Sequence, residues 1–256
     1  MDTISIIIPA FNMQRALARC SVHVAEQTLK PSEVIIVDDG SIDGTAIWAE
    51  EARRTLPFEV SVLTQDHRGA SAARNCGFKQ SHGTLVVFLD ADVILKKHAL
   101  ERLYISLNQK SKISAQGGSA SGGKNQNLGV GYAYSSFRWG RKKFPSYPFD
   151  AARLRQMPYI HTTSLIKRET LPENPFDEQL KRLQDWDLYL TLLERGTIGA
   201  YVPEILFTVE TKGTMSRWLP SIMYQIPFTK FGMNISRLNK YREAEQIIKT
   251  KHKLNN

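Results

Sequence analysis

The sequence predicts an α/β protein with a mainly parallel sheet and helices on both faces. Over the first 110 residues, strand-length apolar runs alternate with helix-length segments, the pattern of right-handed crossover units. Runs such as "TLVVFLDADVIL" (84–95) are nearly continuous rather than alternating, as strands covered on both faces require. No segment approaches about 20 uninterrupted apolar residues, so no spanning helix is expected.

The elements follow in order. "TISIIIPA" (3–10) reads as a strand and "MQRALARCSVHVAEQT" (13–28) as a helix. "SEVIIVDD" (32–39) is a second strand, with "DGTAIWAEEARRTL" (43–56) as its helix. "FEVSVLTQ" (58–65) and "ASAARNCGFKQS" (70–81) form the third pair, the helix opening on small residues. "GTLVVFLD" (83–90) and "KKHALERLYISLNQ" (96–109) form the fourth. From 114 to 150 a Gly/Ser-rich stretch gives way to aromatic and basic residues, read as a sheet extension and then a long surface excursion. "YIHTTSLIKRETL" reads as a strand running into a helix start, with His161 at the head of that strand. "QDWDLYLTLLERG" reads as a helix stopped by Gly196, and "IGAYVPEILFTVE" as one or two strands. The tail is helical in composition, interrupted by Pro220 and Pro227.

At 256 residues the chain can bury a substantial core, as one domain or a domain with an appendage. Its net charge of +9 is uneven: residues 212–256 carry nine Lys/Arg against two acids. The basic character belongs to the tail, which argues against a general nucleic-acid binder and for a local surface that meets something anionic. The mixture of aromatics, aliphatics and cations there suits a helix in the headgroup plane of an anionic membrane, or a helical hairpin packed on the body. The N-terminus has no basic start followed by an apolar stretch, so no signal peptide is expected. Cys20 and Cys76 lack metal-ligand spacing and read as buried thiols in a reducing, cytoplasmic compartment.

In open α/β sheets, ligands bind at the carboxyl ends of strands. Three ends here are polar: Pro9-Ala10-Phe11-Asn12, Asp38-Asp39-Gly40-Ser41 and Asp90-Ala91-Asp92. Capping and turn formation is the plain alternative for Asp38 and Asp39, although Asp43 or Thr45 can cap the following helix instead. Two carboxylates one residue apart at a strand end, Asp90 and Asp92, can meet one hard cation, Mg2+ or Mn2+, whose shell is completed by water and phosphate.

Five segments, "SIIIPAFN", "VIIVDDGSIDGT", "HRGASAARNCGF", "FLDADV" and "QDWDLYLTLLERG", resemble the family 2 glycosyltransferases in order and spacing, over about residues 3 to 210. The resemblance implies a GT-A fold: a Rossmann-like nucleotide-sugar half at 1–110, an acceptor half at 111–211 with the catalytic helix, and a basic helical extension at 212–256. It implies that Pro9, Phe11 and Asn12 line the base and ribose pocket. Asp39 would accept a hydrogen bond from the nucleobase, with Asp38 beside it. Arg74 and Asn75 would contact the nucleotide or order the acidic strand end, where Arg74 alone reads equally as a surface ion pair. Asp92 would ligate the metal directly, with Asp90 and Ala91 near the ribose and metal waters. The small residues 69–73 would admit close backbone approach to a ligand.

Sugar transfer with inversion needs a carboxylate that takes the acceptor hydroxyl's proton. On the helix from Gln184, the apolar stripe of Leu188, Tyr189, Leu192 and Leu193 lies near the direction of Asp185. Asp187 points about 200° away, toward solvent or a neighbouring element. Asp185 also reads as a cap or a partner of Lys181 or Arg182. The resemblance favours the base, because the family places it second in an "ED" pair; here Gln184 replaces the Glu. His161 would touch acceptor or phosphate, or pack as a histidine near the surface. Trp186 would stack on an acceptor sugar or serve the core. No residue is assigned to the family's late Arg/His contact, with Lys212 only a guess.

The expected function is therefore metal-assisted transfer from a UDP-sugar or another nucleotide-diphosphate sugar to a glycan or lipid-linked acceptor. It would occur in the cytoplasm, at the inner membrane face if the tail binds lipid. A nucleotidyltransferase and a catalytically impaired sugar-nucleotide-binding scaffold are the alternatives. A Rossmann dehydrogenase is excluded, because no G-x-G-x-x-G follows the first strand.

Overall fold

The computed structural model describes residues 2–115, 129–210 and 236–254. The alternation read from the sequence is present: β1 (Ile4–Ala10), α1 (Gln14–Ala25), β2 (Glu33–Asp38), α2 (Thr45–Thr55), β3 (Glu59–Thr64), α3 (Ala70–Gln80) and β4 (Leu85–Phe88). There follow β5 (Val93–Leu95), α4 (Ala99–Ala115), β6 (Gly129–Trp139), β7 (Lys142–Phe144), α5 (Ala151–Gln156) and β8 (Leu165–Lys167). A 3-10 turn (Arg168–Thr170), α6 (Gln184–Glu194), β9 (Thr197–Val209) and α7 (Ser236–Lys251) complete the described residues.

The sheet order is β3-β2-β1-β4-β8-β6-β9-β5, with β7 paired to β6. The β3-β2-β1-β4 half is parallel, while β8 is antiparallel to both β4 and β6. Strand β9 runs parallel to β6 and antiparallel to β5. Ile6, Ile7 and Ile8 of β1 are fully buried, each contributing roughly 1.5–3 kcal/mol relative to exposure. They divide between two cores. One lies under α1, α2 and α4 with Leu17, Ala49 and Leu103; the other lies under α3 and α6 with Ala73, Phe78 and Leu192.

Four of the sequence readings are refined or corrected. Strand β4 stops at Phe88, and a turn closed by the Val93 N–H on the Asp90 carbonyl sends β5 to the far edge, against β9. Asp90 and Asp92 stand on that turn, so neither is buried within a ladder. The sheet extension read within 114–150 is β6, a largely buried strand between β8 and β9 that runs on to Trp139, into the stretch read as surface excursion. Its glycine is required by packing, since a Cβ at Gly131 would lie 2.4 Å from Thr197 Cγ2. His161 does not begin a strand, because β8 starts only at Leu165. Of the small residues 69–73, Ser71, Ala72 and Ala73 are buried in the packing of α3.

Of the basic extension, residues 211–235, including Lys212, lie outside the described residues. Helix α7 packs on the body, with Ala244 and Ile248 in the core beneath α6. Among the described residues no helix is long and apolar enough to cross a membrane.

Candidate active site

Strands β2, β1 and β4 are neighbours and parallel, so their carboxyl ends face one crevice. Ala10 pairs in register with Asp38. Asn12 takes a left-handed φ of 53°, which lets its side-chain oxygen accept from the Ile42 N–H at 2.9 Å. Its own N–H donates to Ser41 Oγ at 2.9 Å, so Asn12 ties the first strand end to the second. Asp38 is buried and accepts from the Ser41 N–H at 3.3 Å, the turn role weighed for it. Pro9 is buried within β1, two positions short of the rim that Phe11 occupies.

Asp39 holds the loop before α3. Its Oδ1 accepts from the Arg68 N–H at 2.9 Å and Gln65 Nε2 at 2.6 Å. Its Oδ2 accepts from the Gly69 N–H at 2.8 Å and lies 2.8 Å from His67 Nδ1. A carboxylate offers about four acceptor positions, and all are taken. Gly69 must be glycine here, at a φ of 96°. The His67 ring stacks on Phe11, with centroids 3.9 Å apart at 22°. A base resting on Phe11 and bonded to Asp39 must therefore displace His67. Neither Gln65 nor His67 was singled out from the sequence; the strand-end pattern alone does not reach that loop.

Helix α3 presents Arg74 and Asn75 inward. Arg74 is 5% exposed, forms an ion pair with Asp90 and donates from Nη1 to Gln184 Oε1 at 2.8 Å. Its guanidinium lies 5.0 Å from the Phe176 ring centroid, and its buried Nε finds no partner. The reading of Arg74 as a surface ion pair is corrected: the pair is buried. Asn75 is buried and its amide is engaged within the protein. Its Nδ2 donates to the Phe176 carbonyl at 2.8 Å and its Oδ1 accepts from the Phe176 N–H at 3.0 Å.

The two carboxylates of the D-x-D turn differ. Burial pushes Asp90 up, but Arg74 and then His161 outweigh it and hold its pKa below the usual carboxylate value. Asp92, 5% exposed, is pushed up to about 7 by burial, then by Asp90 and Glu210. Glu210 donates its N–H to the Asp92 carbonyl at 2.9 Å and pairs with Arg19 on α1. It lies in the stretch where no role was assigned. Ala91 is 1% exposed and belongs to the core, so its side chain is not a ligand contact. Among the described residues no group of three or more His, Cys, Asp or Glu could hold a metal. One or two carboxylates with a surplus negative charge suit a hard cation that keeps waters and takes phosphate oxygens. On that ground Asp92 with Asp90 fits Mg2+ or Mn2+.

Asp185 opens α6, its Oδ1 accepting from the Trp186 N–H at 2.9 Å. Burial pushes its pKa above the usual carboxylate range, against the opposing effects of His161 and Arg74. His161 is buried against Phe137 and Phe207 and feels both Asp90 and Asp185; burial nevertheless lowers its pKa. It thus stands between the strand-end acids and Asp185. Trp186 is a core residue, 1% exposed, with Nε1 donating to the Leu154 carbonyl at 2.6 Å; the sugar-stacking reading is corrected. Asp187 meets a neighbouring element. It pairs with His252 and Lys251 at the end of α7, while His252 also reaches Glu194 at 2.8 Å.

A mixed sheet whose parallel half ends in an aspartate-lined crevice, faced by a half-buried carboxyl on a helix of the other half, defines a GT-A type glycosyltransferase fold. The family model described as "Glycosyl transferase family 2" matches residues 5–173, and the chain belongs to that family. It is 33% identical over 110 residues to Glycosyltransferase GlyG of Streptococcus pneumoniae serotype 4, covering 43% of this chain and 36% of GlyG. Over 103 residues it is 32% identical to Poly(ribitol-phosphate) beta-N-acetylglucosaminyltransferase TarS of Staphylococcus aureus, covering 40% of this chain and 18% of TarS. The matched stretch thus spans about a third or less of these relatives. Its fold is similar to S. aureus TarS 1-349 in complex with UDP-GlcNAc, with a TM-score of 0.64 at 20% identity. That match covers 87% of this chain and 64% of the other. It is also similar to glucosyl-3-phosphoglycerate synthase from Mycobacterium tuberculosis in complex with Mn2+, UDP and phosphoglyceric acid. There the TM-score is 0.58 at 15% identity, covering 100% of this chain and 80% of that one.

Proposed function

We propose that this chain is an inverting glycosyltransferase that moves a sugar from a nucleotide-diphosphate sugar, a UDP-sugar foremost, to an acceptor hydroxyl. One observation carries the reading: a half-buried carboxyl with a raised pKa, Asp185, lies within electrostatic reach of His161 and Arg74, which also act on the strand-end acid Asp90. Phe11, Asn12, Asp38 and Asp39 form the donor's base and ribose end, with His67 moved off Phe11. Asp92, assisted by Asp90, holds Mn2+ or Mg2+. When bound, the cation neutralises the diphosphate leaving group. Arg74 keeps Asp90 ionised and oriented, and its unpartnered Nε is a donor available to an anionic donor group. Asp185 takes the acceptor hydroxyl's proton as that oxygen attacks the anomeric carbon, and a single displacement inverts the centre. The acceptor is a glycan or a lipid-linked sugar met in the cytoplasm, at the inner membrane face in the lipid-linked case.

The test compares donor binding and turnover with Mn2+ for the native chain, Asp185→Asn and Asp92→Ala. Asp185→Asn should retain donor affinity and lose about 10²–10⁴-fold in turnover. Asp92→Ala should bind donor no better with metal than without. Native turnover in the first variant, or an intact metal effect in the second, would remove that residue from its role.

A further inference from the structure

The basic, aromatic stretch around β7 has no part in the donor site, yet it is fastened to both ends of it. Residues 138–155 carry six cations, Arg138, Arg141, Lys142, Lys143, Arg153 and Arg155, against one acid. That acid, Asp150, is spent capping α5 through the Ala152 and Arg153 N–H groups. Arg138 and Lys143 sit directly opposite each other across the β6–β7 pair, a like-charge arrangement that costs stability unless an anion joins it. Arg138, Arg141, Lys142, Lys143 and Arg155 are exposed, and among the described residues none of the six cations pairs with a carboxylate.

The position of this strip is fixed by hydrogen bonds. The turn residue Gly140 donates its N–H to the Val209 carbonyl at 3.0 Å, and the next residue, Glu210, donates to the Asp92 carbonyl. At the other end, the Leu154 carbonyl of α5 accepts from Trp186, the residue after Asp185. Between the two ends, Arg153 lies 4.2 Å over the partly exposed ring of Tyr147. The strip therefore runs from the metal-side aspartate to the base, the path an acceptor chain takes to bring its hydroxyl to Asp185.

We infer that residues 138–155 form the acceptor's docking strip and that the acceptor carries phosphate groups close to the sugar or polyol that is modified. Cations spaced along a hairpin and a short helix suit repeated or paired phosphates, and a cation-backed tyrosine suits the intervening apolar face. This inference rests on the transferase reading above. The occupant is a phosphodiester chain: cations spread over a hairpin and a short helix match phosphates repeated along a polymer, where a single headgroup would engage only one or two of them.

Calorimetry and vesicle flotation test this with a glycerol-phosphate oligomer, neutral maltohexaose, and phosphatidylcholine vesicles with and without phosphatidylglycerol. The hairpin triple variant Arg141→Glu, Lys142→Glu, Lys143→Glu is compared with a charge-matched control on α2 and α3: Arg53→Glu, Arg54→Glu, Lys79→Glu. The native chain should bind the oligomer and should ignore maltohexaose. The hairpin variant should lose at least about tenfold in that affinity and the control less than about twofold. Equal losses in both variants, no loss in either, no native binding to the oligomer, or binding to the anionic vesicles alone overturns the docking strip. UDP binding with Mn2+ is measured on the same samples and should be unchanged in both variants. Its absence in the native chain would instead overturn the transferase reading beneath.

Discussion

Removing the imidazole of His252 should weaken the protein more at acid than at alkaline pH. The ring is buried just beyond α7, Nε2 at 2.9 Å from Asp187 and Nδ1 at 2.8 Å from Glu194. With a carboxylate at each nitrogen, both nitrogens donate and the ring is an imidazolium. Burial opposes that charge, but the bonds to Asp187 and Glu194 outweigh it, so the pKa stands above the ordinary 6.5. Breaking a buried ion pair by removing one partner costs about 3–5 kcal/mol. Lys251 stays on Asp187 at 2.9 Å, and Glu194 is open to water, so His252→Leu belongs at the lower end, about 3 kcal/mol. For a chain of this size that is a melting-temperature loss of about 6–12 °C. A histidine whose folded pKa is raised contributes stability in full below the unfolded value of about 6.5, and loses it as pH rises through the folded value. Urea unfolding of native and His252→Leu protein at pH 6 and pH 9 measures the difference. A gap that is the same at both pH values would show that the imidazolium is not what the cluster holds.

Three further outcomes follow from the site and its supports. Mn2+ should raise the melting temperature more at pH 8 than at pH 6, because a proton competes for Asp92, whose pKa stands at about 7; equal gains would place the metal elsewhere. Gly77→Ala should cost about 1–3 kcal/mol in chemical denaturation, since the new Cβ would lie 2.5 Å from Ile7 Cγ2 and 3.1 Å from Val37 Cγ2 where α3 meets the sheet; a neutral effect would show that α3 shifts freely. Gln184→Glu places a carboxylate beside Asp185 and should move the acid limb of the kcat/KM profile to higher pH, by up to about one unit; an unmoved limb would mean that Arg74 absorbs the added charge or that Asp185 is not the base.

The parallel half was legible because its strands are apolar runs with helices between them, and local periodicity reports that directly. The second half was harder. β6 has the sequence "GVGYAYSSFRW", whose Gly131 and Ser136 resemble loop residues until Thr197 and Thr170 are seen beside the first and Tyr201 beside the second. Residues on different elements were placed by type and spacing, and there the sequence runs out. Asn75 fits a ligand contact until its amide is found on Phe176, 101 positions away. Trp186 fits a sugar platform until its indole is found on Leu154. The separation of Asp185 from Asp187 was readable, since a helical wheel needs only local geometry. The partners of Asp187 were not, because they come from the far end of the chain.

The departure at Gln184 assigns the roles of the two D-x-D carboxylates. A glutamate at that position would share the Arg74 guanidinium, leaving Asp90 partly uncompensated. With a neutral amide accepting from Nη1, Asp90 is the carboxylate that pairs with Arg74. Its charge is thereby matched within the protein, and its pKa falls despite burial. Asp92, two residues on, forms no ion pair among the described residues; the nearby acids Asp90 and Glu210 raise its pKa. Among the described residues Asp92 is thus the carboxylate of this turn without an ion-pair partner, and under the transferase reading a divalent ion gains most from binding there. Arg74, held between the D-x-D turn and the start of α6, also fixes how far apart these acids and Asp185 stand. Arg74→Ala should accordingly weaken metal-dependent donor binding and turnover together, whereas a residue acting on the base alone would move turnover only.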